Sequence, residues 1–242
     1  MADRAPGRMA STATEYSYAA PHLSLVTVVV PVKALGRAKS RLALPEHQRR
    51  QLALAFAADT LAAVTGCADV AAVLVVTADA DIAALASGLG AQVVPDHTAT
   101  LDAAVAAAVV AAVHDHPDGG VLVVPADLPC LRPSDVSEVL RQADPFPASF
   151  VADRGGGGTT MVVARPGEAV LTGYGVGSAE RHTSLGLHPL ADAPAPARHD
   201  VDTLADLRAA VALGLGARTV ALLGEWRRSG GVGAWEVPEA EA

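Results

Sequence analysis

Four cationic side chains, Lys33, Arg37, Lys39 and Arg41, fall within nine residues of the stretch PVKALGRAKSRL (31–42). An ammonium is a compact point charge and a guanidinium grips two oxygens at once. A mixed set of this density can therefore neutralise several oxygens of a triphosphate as charge develops on a leaving pyrophosphate. A solvated basic loop would have the same composition, but lysine usage argues for function. The chain has two lysines against sixteen arginines, and both lysines lie in this stretch. The Walker A pattern G-x-x-x-x-G-K-[ST] is absent, so the phosphates are not held in the P-loop manner.

Carboxylates supply the opposite charge. Asp127 closes an apolar run in VVPADLPCL (123–131), and Asp200 and Asp202 stand two apart in RHDVDTLADL (198–207). Residues i and i+2 of an extended segment point the same way, so Asp200 and Asp202 can hold one or two magnesium ions together. Two plainer roles compete: Asp202 or Thr203 as the cap of the following helix, with Asp206 completing the start, and Asp127 as a turn residue before Leu-Pro. DVDT also matches the D-x-D-x-T nucleophile motif of haloacid-dehalogenase-type phosphatases. That motif belongs after the first strand with a lysine downstream, whereas here it lies near the C-terminus and no lysine follows.

Two glycine-rich pieces remain, GGGGTT (155–160) and GYGVGS (173–178). Glycines let main-chain amides approach an anion closely, and Ser178 can cap a helix whose start, with Arg181 nearby, favours phosphate or carboxylate. Ordinary turns use the same residues. No G-x-G-x-x-G follows the first strand, which lowers a nicotinamide-dehydrogenase reading. His182 and the other histidines show no metal spacing and read as surface or supporting residues.

The elements that must position these groups follow from hydrophobic pattern. LVTVVVPV (25–32) and DVAAVLVVT (69–77) read as strands covered on both faces, as does the start of GGVLVVPADLPCL (119–131). Between them, Leu54, Ala57, Leu61 and Val64 recur at helical spacing, and Leu101, Val105, Val109 and Val113 at intervals of four. A short helix near 81–87, a short strand at 91–94 and a helix after Pro133 continue the alternation. The pattern predicts an α/β fold with a largely parallel, doubly wound sheet and ligands beyond the strand carboxyl ends. ASFVAD and TTMVVA, flanking GGGG, predict a hairpin-type insertion, and 202–214 returns to helix.

Composition narrows the class. With 242 residues, 51% hydrophobic but 3% aromatic, the chain predicts one Ala/Val/Leu core over 23–228, with unstructured tails at 1–22 and 229–242. A net charge of −8 argues against a nucleic-acid partner. No apolar run approaches the length of a membrane helix, and Cys67 and Cys130 show neither disulfide nor zinc spacing, so a reduced, cytoplasmic setting is expected.

Taken in order, PVKALGRAKSRL, VVPADLPCL, FVADRGGGGTT, GYGVGSAERH and RHDVDTLADL resemble the CofC/FbiD family, guanylyltransferases of coenzyme F-420 biosynthesis related to MobA-like nucleotidyltransferases. The resemblance runs from about residue 25 to 218. It implies a three-layer α/β/α Rossmann-like fold and transfer of GMP from GTP to the phosphate of phosphoenolpyruvate or 2-phospho-L-lactate, with release of pyrophosphate. It also implies magnesium held by Asp127, Asp200 and Asp202, acceptor binding at Thr160, Gly175 and Ser178, and Lys33 and Lys39 near the phosphates. Hand-over of product to the next enzyme of the pathway belongs to the same expectation. Where relatives often carry a longer loop ending in Leu-Asn, this chain has PDHTATLDAAV with Asp102, which bears on nucleotide choice. The alternatives are a related nucleotidyltransferase with another nucleotide or acceptor, and a homologue that binds nucleotide without turnover.

Overall fold

The computed structural model describes residues 23, 25–35, 39–98 and 100–229. The tail expected over 1–22, residues 230–242 of the C-terminal tail, and Arg37 lie outside the described residues. Ser229 is described and ends the last helix.

The first apolar run forms β1 (Val26–Val32), buried at every position. Its two edges pair with β2 (Val70–Thr77) and β4 (Val121–Val123), each parallel to it. With β3 (Gln92–Pro95), β5 (Ala148–Ala152), β6 (Thr159–Ala164) and β7 (His188–Pro189), the sheet has the order β3-β2-β1-β4-β6-β5-β7. Only β6 runs against the other strands. The expected mostly parallel sheet is therefore present, but the β5–β6 hairpin is no appendage. β6 pairs directly with β4, Val123 opposite Val162, and from Thr160 to Ala164 it is buried like an interior strand of the sheet.

Alternate residues of β1 serve two cores. Val28, Val30 and Val32 pack under α1 (Glu46–Thr65), α2 (Ala80–Gly88) and α4 (Pro133–Ala143), while Val29 faces α3 (Leu101–Asp115). On α3 the buried stripe is Ala104, Val105, Ala108 and Ala112, rotated from the expected Leu101-Val105-Val109-Val113 row. Val113 is left exposed because a face of small alanines lets the helix lie close on the sheet. A third core forms where Leu52 and Phe56 of α1 meet α6 (Leu204–Leu213) and α7 (Ala217–Arg228). The sequence pattern did not single out α7. A short helix, α5 (Ser178–Ser184), follows the second glycine-rich piece, capped by Gly177 rather than by Ser178. Among the described residues no single helix is long and apolar enough to cross a membrane.

Candidate active site

β1 is where strand order reverses: β2 and β3 lie on one side of it and β4 on the other. In open α/β sheets, ligands occupy the crevice outside the carboxyl ends at such a point. Here that crevice is a cleft of about 310 Å³ walled by Lys33, Lys39, Leu101, Pro125, Asp127 and Asp202. Because β6 runs against β4, its first residues, Thr159 and Thr160, arrive at the same sheet edge.

Lys39 concentrates the charge of the cleft. Its Nζ lies 2.5 Å from Asp127 Oδ2 and 2.9 Å from Asp202 Oδ1. Burial by itself lowers the pKa of the ammonium, but the charges and hydrogen bonds of Asp127 and Asp202 outweigh it and hold the group above its ordinary value. Local backbone brings it there. Lys39 adopts φ 57° before a 3-10 turn over Ser40–Leu42, and Leu42 anchors that turn by burying its side chain in the third core. A left-handed non-glycine residue costs on the order of 1 kcal/mol, which the ion pairs and the Leu42 anchor offset. Arg41, on the same turn, is largely exposed and reaches Asp202 Oδ2 at 3.3 Å.

The carboxylates are set by main-chain seams. The Val201 N–H donates to the Asp127 carbonyl at 3.1 Å, fastening the 200–202 segment to the loop that follows β4. Thr203, not Asp202, caps α6: its Oγ1 accepts from the Asp206 N–H while the Asp206 carboxylate accepts from the Thr203 N–H. That leaves the Asp202 carboxylate to Lys39 and Arg41. Asp127 gives Oδ2 to Lys39, and its Oδ1 is buried without a hydrogen-bond partner. Burial, then the charges of Asp127 and Asp202, push the Asp200 carboxyl up to about 6.

Among the described residues no three acidic, histidine or cysteine side chains converge into a ready metal-holding cluster. The Lys39 ammonium stands between two of the expected carboxylates instead. The donor set nonetheless fits a hard divalent cation. It consists of carboxylate oxygens, one of them buried and unpartnered, and a third carboxyl is raised first by burial and then by the negative charge of the other two.

Lys33 is not drawn into this group. Its Nζ lies 2.7 Å from Asp96 Oδ2 and 3.4 Å from the Thr98 carbonyl, both in the loop after β3. Burial acts to raise the Asp96 carboxyl, yet the Lys33 and Thr98 hydrogen bonds hold it at about 2. Asp96 did not emerge from the sequence, although it sits in PDHTATLDAAV, just past the carboxyl end of β3. Asp79 was also missed. It caps α2 and reaches across to accept from the Leu35 N–H at 3.1 Å, bracing the backbone two residues past Lys33.

On the far side, Asp102 Oδ1 accepts from the Tyr174 N–H at 3.3 Å, which brings the 173–177 loop beside the start of α3 and hence beside Leu101 in the cleft wall. Gly175 and Gly177 have φ of 109° and 73° there, a region that favours glycine. The Arg181 guanidinium is committed to three loop carbonyls, those of Gly173, Tyr174 and Val176. Ser178 is buried at the start of α5, its N–H bonded to the Gly175 carbonyl. Thr160 is buried as well, with its hydroxyl donating to the Ala197 carbonyl at 2.6 Å.

A family model for CofC-like guanylyl transferases matches residues 26–186. The chain belongs to this family. A phosphoenolpyruvate guanylyltransferase of Thermomonospora curvata is 48% identical to this CofC-like chain over 199 residues, covering 81% of it and 87% of that protein. One from Streptomyces coelicolor is 47% identical over 202 residues, covering 81% and 94%. Solved structures agree on the fold. A 4-diphosphocytidyl-2C-methyl-D-erythritol synthase superposes with a TM-score of 0.54 at 14% identity, covering 78% of this chain and 99% of that one. A nucleotidyl transferase from Methanothermobacter does so with a TM-score of 0.50 at 16% identity, covering 78% and 97%. Membership makes this CofC-like chain a nucleotidyltransferase, a class whose chemistry points to a divalent metal.

Proposed function

We propose that this chain transfers the GMP unit of GTP to the phosphate of phosphoenolpyruvate, releasing pyrophosphate, as a step of coenzyme F-420 biosynthesis in the cytoplasm. The observation that carries the proposal is the Lys39–Asp127–Asp202 cluster at the reversal of strand order. The names of the relatives favour phosphoenolpyruvate over 2-phospho-L-lactate. Residues 23–228 act as one nucleotidyltransferase domain, and the product passes to the next enzyme of the pathway.

In this reaction an oxygen of the acceptor phosphate attacks the α-phosphorus of GTP. The bond from that phosphorus to the bridging oxygen breaks, and its electron pair leaves with pyrophosphate. The nucleophile is already an anion and needs no strong general base, so catalysis falls to positioning and charge neutralisation. Asp127, Asp200 and Asp202 are the residues that would hold magnesium, which when bound supplies Lewis-acid charge to phosphate oxygens. Lys33, Arg37, Lys39 and Arg41 supply positive charge along the triphosphate. Thr160, Gly175, Ser178 and Arg181 form the acceptor side.

The test incubates the full chain with GTP, magnesium and each acceptor in turn, reading pyrophosphate and the mass of the guanylylated product. Pyrophosphate matched by a phosphoenolpyruvate–GMP adduct is the expected result. Absence of pyrophosphate with every nucleotide and acceptor, under conditions where a relative works, would overturn the proposal.

A further inference from the structure

His182 has no part in the chemistry above, yet its side chain is completely buried on α5. Its Nε2 lies 3.0 Å from the Gly173 main-chain nitrogen, and its Nδ1 lies 2.9 Å from Thr159 Oγ1. A main-chain N–H only donates, so Nε2 accepts. The proton of the neutral ring then sits on Nδ1 and is donated to the threonine. The ring also meets Tyr174 edge-on at 5.7 Å and Phe150 at 5.6 Å. One imidazole thus ties the start of β6, beside Thr160, to the first residue of the GYGVGS loop. With both nitrogens occupied and no solvent access, the ring is not placed to act as a general base.

We propose that His182 is a positioning residue that holds the Gly173–Gly177 loop in its acceptor-binding shape as the neutral Nδ1–H tautomer, and that protonation of the ring releases the loop. This rests on the acceptor reading of that loop given above. A protonated ring would turn an Nε2–H toward the Gly173 N–H, and the bond between them would be lost. The charged groups around the ring are Arg181 on its own helix and Asp102 at the start of α3. The Tyr174 phenol, pushed up by burial, stays neutral. Burial first, and then Arg181, hold the imidazole below its ordinary value against the weaker pull of Asp102. A lowered folded-state pKa means that the loop is fully held above about pH 6.5 and loosens as pH falls through the folded value.

The experiment uses the full chain with GTP, magnesium and phosphoenolpyruvate, measuring kcat and each KM for wild type, His182→Leu and His182→Gln. His182→Leu is expected to raise the KM for phosphoenolpyruvate about tenfold, the scale of one buried hydrogen bond lost, with the KM for GTP within about twofold. In His182→Gln, Oε1 can accept from the Gly173 N–H, so near-normal acceptor KM is expected. The phosphate of the acceptor itself titrates near pH 6, so only the difference between enzymes counts. Between pH 7 and 5 the acceptor KM of wild type is expected to rise more steeply than that of His182→Gln, because glutamine does not titrate. An unchanged acceptor KM in a folded His182→Leu, or equal acid slopes in wild type and His182→Gln, would overturn the inference. Should His182→Leu fail to fold, the slope comparison decides alone. Imidazole nitrogen NMR shifts provide a readout free of turnover. An Nδ1–H tautomer at pH 7 is expected, and an Nε2–H or charged ring overturns the inference. A wild type with no turnover at all sinks the guanylyltransferase reading, which is a separate failure.

Discussion

At the scale of single residues the cleft is a balance of paired charges. In the proposed reaction, Asp127→Asn and Asp202→Asn would each remove a charge that holds the divalent ion and, through it, serves the leaving group. Losing such a transition-state contact typically costs about 3 kcal/mol, so turnover by pyrophosphate release is expected to fall about a hundredfold or more while circular dichroism stays native. Lys39→Met should act differently. The Lys39 ammonium already lies between Asp127 and Asp202, so it competes with any divalent ion for them. Its removal is expected to tighten Mn²⁺ binding measured without nucleotide, even as turnover with GTP drops. Weaker Mn²⁺ binding in Lys39→Met would contradict that competition. Asp96 predicts an acid limit. Its carboxyl is held at about 2, so the stability it contributes is complete above its unfolded pKa and is lost as pH falls from about 4 through 2. Asp96→Asn should lessen the pH dependence of the melting temperature in that window, where Asp79, Glu138 and Asp206, also held low, keep the remainder. Solvent around the partly exposed Lys33 screens the pair and keeps the effect modest.

Secondary-structure elements fix where those charges stand. α7 closes the outer side of α1, and its start is pinned by Asp59, whose two carboxylate oxygens accept from the Arg218 and Thr219 N–H groups at 2.9 Å each. Gly216 precedes that helix, and a Cβ there would lie 2.3 Å from the Asp59 carboxyl carbon. Because the carboxylate cannot retreat without giving up both bonds, Gly216→Ala is expected to destabilise the fold by roughly 1–3 kcal/mol in urea unfolding. A neutral result would mean that α7 shifts freely, which the burial of Trp226 and Leu223 against α1 argues against. The element scale also explains how Asp202 became available. A capping box closes α6 at Thr203 with Asp206, so the preceding aspartate has no helical duty. The spacing T-x-x-D was visible in the chain, and it alone could not say whether the box or Asp202 would take the cap.

Across the whole molecule, a net charge of −8 opposes the approach of GTP, and the described cations of the cleft are already paired with Asp96, Asp127 and Asp202. Chelation of divalent ions is therefore expected to abolish GTP binding in calorimetry and not merely slow turnover. Tight binding in the presence of chelator would show that the lysines suffice. Much of this protein was legible in its sequence. β1 and β2 were plain because unbroken β-branched runs have few other stable uses, and the order of motifs along the chain carried the family. These are local properties, determined by which backbone conformation a stretch prefers and which faces it must bury. What the tertiary structure decided is pairing. Lys39 meets partners 88 and 163 residues away, Lys33 turns instead to Asp96, and His182 locks a loop to β6. It also decided that the hairpin completes the sheet and that α3 buries alanines. No local pattern encodes such choices, because they depend on strand order and on how closely each helix can approach, and both are settled only when the layers pack.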